Sequence, residues 1–247
     1  VVPTYDEAKN VQPLATRLLQ AVPDVDILFV DDASPDGTAE RVAALGRQDA
    51  RIRLLLRHEK LGLGTAYLAG FEYGLTEKYD RIVTLDADLS HDPAYLPALL
   101  DASENADLVI GSRYVAGGGI RDWGLHRRLL SRYANLLARG VLRLPVRDVT
   151  SGFRVYRAST LTALPLASIR SSGYSFLEEI VFLADRLSLT IAEVPIVFCD
   201  REGGRSKISA TEVFKAAFLL LRLGLRPHPA SELGEEHLLA GADSTEP

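Results

Sequence analysis

Leu85-Asp86-Ala87-Asp88-Leu89-Ser90-His91 follows directly on an apolar run, Arg81-Ile82-Val83-Thr84-Leu85. The run reads as a buried strand, Arg81–Asp86, and the motif as its exit. Along an extended chain, residues two apart aim the same way. Asp86 and Asp88 are therefore expected to reach one point just past the strand's carboxyl end. In open α/β sheets that edge is where ligands bind. Two carboxylates there suit Mg²⁺ or Mn²⁺, hard ions that take phosphate oxygens and water as well as carboxylates. Ser90 or a water would complete the ligand set. A loop or capping role suits His91 better than ligation, because Mg²⁺ prefers oxygen. Aspartate pairs also arise by chance, and it is the placement after a strand that favours a metal-held, phosphorylated ligand.

Working outward, strand-like and helix-like segments alternate over residues 1–112. The strands are expected at Val1–Thr4, Asp26–Asp31, Ile52–Arg57, Arg81–Asp86 and Leu108–Gly111. The helices are expected near Val11–Ala21, Thr38–Gln48, Gly64–Thr76 and Ala94–Ser103, the last capped by Asp92-Pro93. Such alternation implies an α/β fold with a mostly parallel sheet and helices on both faces. After the Gly117-Gly118-Gly119 loop, the pattern reads as helix Leu125–Leu142, strand Thr150–Tyr156, helix Phe176–Leu187, strand Thr190–Phe198 and helix Ala210–Leu225. No internal repeat or interdomain linker interrupts residues 1–226, which read as one domain. The polar, acid- and Pro-containing stretch 227–247 is expected to be a disordered tail. The opening Val1-Val2-Pro3-Thr4 resembles the end of a strand, so a few residues are expected to precede it in the natural chain.

Composition bounds the function. The 247 residues, 47% apolar and 25% charged, are ordinary for a globular protein. A net charge of −5 argues against a general nucleic-acid binder. A single cysteine, Cys199, forms no internal disulfide and fits a reducing compartment. Nothing reads as a signal peptide, and no apolar run approaches the roughly 20 residues of a membrane span. Charge is unevenly spread: Arg113 to Arg157 contains ten arginines against two acids, Asp122 and Asp148. Either a solvated helix face or an anion-facing surface accounts for this. Its position directly after the metal-type motif favours the second, since arginine forks onto phosphate oxygens.

Three further motifs lie at strand exits. Pro3-Thr4-Tyr5-Asp6-Glu7 is either a turn with a capping acid or a ring and carboxylate suited to a base. Val30-Asp31-Asp32-Ala33-Ser34-Pro35-Asp36-Gly37-Thr38 is not an EF-hand loop from Asp32, because its twelfth position is Ala43. It is not placed as in a phospho-receiver either, since the pair follows the second strand. Ser34 and Asp36 suit turn positions, and Asp32 suits hydrogen bonds from a base or ribose. Gly62-Leu63-Gly64-Thr65-Ala66 fails the dinucleotide fingerprint, whose third glycine would fall at Tyr67. A tight strand-to-helix turn explains it better.

In this order and spacing, the motifs resemble an inverting family 2 glycosyltransferase. Later motifs resemble the polyprenyl (dolichyl) phosphate mannosyltransferases within it. These are Gly111-Ser112-Arg113-Tyr114, Arg127…Ser131-Arg132, Asp148-Val149-Thr150-Ser151-Gly152-Phe153-Arg154, Gly173-Tyr174-Ser175-Phe176 and Arg201-Glu202-Gly203-Gly204-Arg205-Ser206-Lys207. The resemblance covers residues 1–226. It implies a GT-A fold, Rossmann-like, with a nucleotide-binding half at 1–112, an acceptor-binding half at 113–226 and a C-terminal interfacial helix.

The resemblance also implies roles. Pro3, Tyr5, Glu7 and Asp32 would line a guanosine pocket. Asp86, Ala87 and Asp88 would hold ribose, metal and diphosphate, with Ser90 where some relatives carry a glutamine. Arg113, Arg127 and Ser131 would receive the acceptor phosphate. Arg201 and Lys207 would close over the donor diphosphate, helped by Gly203 and Gly204. Glu179 would sit near the sugar, whereas Leu177 departs from the glutamine common in relatives and leaves sugar choice open. The implied reaction moves mannose from GDP-mannose to polyprenyl or dolichyl phosphate with Mg²⁺ or Mn²⁺, giving a β-linked product. Its implied setting is the cytoplasmic membrane surface, with peripheral attachment and a possible separate anchoring protein. UDP-glucose or another donor, a saccharide hydroxyl acceptor with Glu179 as base, and a non-catalytic lipid- or nucleotide-binding module are the alternatives. Val213–Arg226 reads equally as a core helix or an interfacial one, and Leu125–Leu142 is a second candidate for membrane contact.

Overall fold

The structure is a computed structural model that describes residues 1–169, 173 and 175–200. Arg201, Lys207, the expected helix Ala210–Leu225, the tail 227–247 and Tyr174 lie outside the described residues.

Three parallel strands, β1 (Val2–Thr4), β2 (Ile27–Asp31) and β3 (Ile52–Leu56), pair in the order β1-β2-β3. A second group, β4 (Arg81–Thr84), β5 (Leu108–Ser112), β7 (Arg154–Arg157) and β8 (Ile191–Pro195), runs β4-β7-β5-β8. The Val1 amine donates to Val83 O at 2.7 Å and Leu85 N–H to Val1 O at 3.4 Å, laying β4 beside β1. The strands thus follow one another as β3-β2-β1-β4-β7-β5-β8. A small parallel pair, β6 (Gly119–Ile120) and β9 (Val197–Phe198), extends past β8.

The helices are α1 (Val11–Ala21), α2 (Thr38–Gln48), α3 (Leu63–Thr76), α4 (Leu96–Ala102), α5 (Leu125–Leu142), α6 (Ala158–Ala163) and α7 (Ser175–Arg186). Period-two alternation sends neighbouring strand residues to opposite cores. Leu108 and Ile110 join Tyr67, Phe71, Ala138 and Ile180 on the side of α3, α5, α6 and α7. Val109 joins Leu14, Leu18, Val42 and Leu96 on the side of α1, α2 and α4. In α1 the buried residues Val11, Leu14, Ala15 and Leu18 recur at helical spacing, which seats the helix on the sheet.

The sheet is mostly parallel, as expected, with β7 antiparallel to both β4 and β5 and lying between them. Three sequence expectations need correction. The expected strand Thr150–Tyr156 starts only at Arg154, because residues 150–153 form a loop held by side chains. The strand expected at Thr190–Phe198 is divided at Ile196, with β8 and β9 in separate pairings. Arg81–Asp86 stops at Thr84, so Asp86 and Asp88 occupy the turn beyond the strand, where Leu89 takes φ 62°.

One helix carries an open apolar face. On α5, Leu125, Leu129, Leu130, Tyr133 and Leu136 are each more than half exposed, while Asn135, Ala138 and Leu142 face inward. Arg128, Arg132 and Arg143 are exposed beside that face. Among the described residues, no helix is long and apolar enough to cross a membrane.

Candidate active site

The carboxyl ends of β1, β2, β4 and β5 deliver their exit loops to one edge of the sheet. Side chains bind the first two loops together. Asp31 accepts from Thr4 Oγ1 at 2.8 Å and from Ser34 Oγ at 2.6 Å. Ser34 Oγ accepts from Asp6 N–H at 3.1 Å, Asp36 from Ala8 N–H at 3.0 Å, and Thr38 Oγ1 from Glu7 N–H at 3.0 Å. Ser34 and Asp36 therefore staple one loop to the other. Glu7 turns back to accept from Asn10 Nδ2 at 2.7 Å.

Asp32 has a different set of partners. Its carboxylate pairs with the Arg57 guanidinium and accepts from Gly62 N–H at 2.8 Å. Arg57 also donates to Thr65 Oγ1 at 2.7 Å and to Gly62 O at 3.1 Å. Gly62 holds φ +94°, a backbone that only glycine adopts without strain. A Cβ on Gly64 would lie 3.2 Å from the Phe176 ring, so this glycine lets α3 approach α7 closely. The glycine motif is thus a turn that supports Asp32. Lys60 Nζ lies 3.6 Å from the centre of the Tyr5 ring, on the same rim.

The Asp86–His91 turn is held from below. His91, 1% exposed, accepts from Asp86 N–H through Nδ1 at 3.2 Å. Burial lowers its pKa despite nearby Asp86 and Asp88, which favours the neutral ring that this bond requires. Its ring packs against Phe153 and Phe198. His91 therefore shapes the turn. Ser90 is buried and donates to Asp88 through its hydroxyl and its backbone N–H. It orients a carboxylate expected to bind metal. Asp86 stays partly exposed, with Tyr67 Oη 3.5 Å away. A Cβ on Gly152 would lie 3.3 Å from Asp86 Oδ1, so the Asp148–Arg154 segment passes directly against the carboxylate. Ala87 packs its methyl into the core. Among the described residues, no group of three or more His, Cys, Asp or Glu is arranged to hold an ion. Asp86 and Asp88 are the two carboxylates of this turn, and a hard divalent ion held by so few protein oxygens takes the rest of its ligands from phosphate and water.

Arg113, Arg127 and Ser131, expected to receive the acceptor phosphate, are neighbours in the fold, with unequal surroundings. Arg113 is buried and bonded to Asp148 and Thr150. Tyr114 Oη and Ser131 Oγ share a hydrogen bond of 2.8 Å, tying α5 to the end of β5. Arg127 stacks 3.9 Å above the Trp123 ring and pairs with Asp200. Phe198 joins these parts: its ring meets His91, Trp123 and Arg113. Arg154 is fully buried and donates to Ser151 O, Leu177 O and Val149 O. It fixes the 148–152 loop to the start of α7. Glu179 and Leu177 are buried in α7, and the leucine belongs to the core.

Sequence reasoning named Asp148 and Arg154 only as the ends of a family motif and did not single out Arg57, Tyr67, Trp123, Phe198 and Asp200. Several of the partners that bring these residues to the site are distant in the chain, as Asp32 is from Arg57 and Arg113 from Asp148.

The sequence profile described as glycosyl transferase family 2 matches residues 1–164. Undecaprenyl-phosphate mannosyltransferase of Micrococcus luteus is 45% identical over 225 residues, covering 91% of this chain and 93% of that protein. Polyprenol monophosphomannose synthase of Mycolicibacterium smegmatis is 42% identical over 228 residues, covering 92% and 86%. Among solved structures, glucosyl-3-phosphoglycerate synthase from Mycobacterium tuberculosis with phosphoglyceric acid superposes with a TM-score of 0.65 at 22% identity, covering 92% of this chain and 79% of that one. The same enzyme with Mn²⁺, UDP-glucose and phosphoglyceric acid gives 0.64 at 22%, covering 92% and 79%.

Proposed function

The chain belongs to glycosyl transferase family 2 and has the GT-A fold, and we propose that it transfers mannose from GDP-mannose to a polyprenyl phosphate at a membrane surface. The observation that carries this reading is its likeness, over 91% of its length, to a named undecaprenyl-phosphate mannosyltransferase. The site chemistry supports it.

Pro3, Tyr5, Glu7 and Asp32 line the guanosine pocket, and Asp32 offers its remaining lone pairs to base N–H groups. Asp86 and Asp88 hold a divalent cation with the donor diphosphate, Ser90 steadying Asp88. Mn²⁺ in solved structures of the same fold supports a divalent ion. When bound there, such an ion would supply positive charge to the diphosphate and to the departing nucleoside diphosphate. Arg127, Ser131 and Arg113 serve the acceptor phosphate, and Arg201 and Lys207 the donor diphosphate. Glu179 lies toward the sugar from α7. Residues 1–112 form the donor half and 113–226 the acceptor half.

The acceptor is already ionised at neutral pH. It needs no general base, unlike a sugar hydroxyl. The protein's task is to bring two phosphates together against their repulsion, which fits arginines gathered beside paired carboxylates. A single in-line displacement at the anomeric carbon then inverts an α-linked donor to a β-linked product. We place the open face of α5, flanked by arginines, on the membrane surface, with the enzyme peripheral at its cytoplasmic side.

Transfer of labelled sugar to a short polyprenyl phosphate with Mn²⁺, comparing GDP-mannose with UDP-glucose, tests the reading. Lipid-linked product from GDP-mannose alone is expected. Product from UDP-glucose alone would overturn the donor, and no lipid-linked product would overturn the acceptor.

A further inference from the structure

The fold treats the two arginines of the acceptor site differently. Arg113 sits in a dry, two-point pair with Asp148. Arg127 is held by a pair that water reaches: its Nη1 lies 3.0 and 3.2 Å from the two Asp200 oxygens, with side chains 29% and 33% exposed. A carboxylate offers a guanidinium two oxygens, as a phosphate does. Asp200 therefore presents to Arg127 what an incoming phosphate would present. An exposed pair of this kind is weak and exchangeable, whereas the buried one is not.

Resting on the proposed function, we propose that Asp200 occupies the acceptor-phosphate seat on Arg127, as an internal anion that the lipid phosphate displaces. Without acceptor, Asp200 keeps the guanidinium neutralised and over the Trp123 ring. Displacement selects the acceptor by charge. A phosphate monoester carries roughly −1.5 to −2 at neutral pH, more than a carboxylate, and gains from the exchange. A phosphodiester or carboxylate carries a single charge and gains nothing. Asp200 is in this sense a specificity-determining residue for monoester acceptors.

Trp123 is the only tryptophan of the chain. Its ring lies under Arg127, so its emission reports on the seat without donor, metal or turnover. The full chain is titrated with a short-chain polyprenyl monophosphate and, separately, with its monomethyl ester. The wild type is expected to give a saturable change with the monoester and a weaker response to the methyl ester. Asp200→Asn is expected to lower the monoester Kd roughly two- to fivefold, the size set by a partly exposed ion pair. It should favour the methyl ester more strongly still. Asp200→Glu keeps the pair and should behave like the wild type, and Arg127→Ala should abolish the response. An unchanged or higher Kd in Asp200→Asn, with wild type responding and Arg127→Ala silent, would overturn the exchange and leave Arg127 as a phosphate ligand. A wild type that ignores the monoester would overturn both the exchange and Arg127's place in the acceptor site.

Discussion

Arg113 and Asp148 form a buried, two-point ion pair: Nε lies 2.7 Å from Oδ2 and Nη2 lies 2.7 Å from Oδ1. Asp148 also accepts from Arg113 N–H at 3.0 Å, and its own N–H donates to Glu193 at 2.9 Å. The pair pins the end of β5 to the loop that runs against Asp86. Burial alone would raise the Asp148 pKa, but the adjacent guanidinium outweighs it and holds the carboxyl below its usual range.

Removing one partner strands the other charge in a dry site. Asp148→Asn is therefore expected to destabilise the fold by about 3–5 kcal/mol. The native carboxyl gives up its proton more readily than the unfolded one. The pair's contribution is thus complete above the ordinary carboxylate pKa and is lost as pH falls through the lower, native value. Urea unfolding of both proteins across acidic pH measures this. A variant as stable as the wild type at neutral pH would show that the pair holds nothing together.

Glu178 behaves in the opposite sense. It is buried at the start of α7, and burial raises its pKa from 4.5 to about 7, against the opposing pull of Arg154. Among the described residues, its Oε2 has no hydrogen-bond partner. The native state therefore keeps a proton that the unfolded chain loses between about pH 4.5 and about 7, and stability falls as pH rises through that window. Glu178→Gln should remove this dependence and be more stable than the wild type by about 3 kcal/mol above pH 7, an order-of-magnitude figure from the size of the shift. Parallel urea titrations at pH 5 and pH 8 would decide it, and an unchanged difference between the two proteins would refute it.

The donor half of the fold was largely legible in the sequence because its signals are local. Val11–Ala21 and Thr38–Gln48 carry their apolar residues at helical spacing, and the structure gives both helices those bounds. Leu125–Leu142 likewise keeps its expected bounds. The place of β7 between β4 and β5 was not legible, because an antiparallel insertion depends on pairing partners many residues away. The alternation argument for Asp86 and Asp88 does not hold for a different reason, since β4 ends at Thr84 and the chain turns from Ala87. What gathers the turn is His91 accepting from Asp86 N–H, together with Ser90 donating to Asp88. The expected phosphate arginines lie in one neighbourhood, but sequence could not separate buried Arg113 from partly exposed Arg127. That distinction rests on Asp148 and Asp200, whose pairing with these arginines no local pattern marks.

Asp88 is the more buried of the two carboxylates proposed to hold the metal, and Ser90 donates to it. Asp88→Ala should lower metal-dependent transfer by roughly 100-fold or more, as loss of a group that organises leaving-group charge does. A chelator should silence the wild type, and added Mn²⁺ should restore it. Ser90→Ala should act more mildly, raising the Mn²⁺ concentration needed for half-maximal rate, because it removes only the orienting bond. Normal turnover in Asp88→Ala would take the ion away from this turn.

The exposed face of α5 leads to a prediction that separates membrane attachment from chemistry. Leu129 and Leu136 lie on the outward side, away from Asn135, Ala138 and Leu142, which anchor the helix to the body. Open apolar surface of this extent marks a binding face, and the flanking Arg128 and Arg132 suit anionic headgroups. Each CH₂ inserted into lipid contributes roughly 0.8 kcal/mol. Replacing both leucines with glutamate removes that contribution and adds repulsion from an anionic surface. Leu129→Glu with Leu136→Glu should therefore weaken co-sedimentation with vesicles containing anionic lipid by roughly tenfold or more. Neither side chain contributes to the inner face of α5, so folding should persist, and transfer to a short, water-soluble polyprenyl phosphate should change little. Vesicle binding that survives the double substitution would move the membrane contact to another part of the chain. Loss of transfer to the soluble acceptor, with vesicle binding intact, would instead place this face within the acceptor site itself.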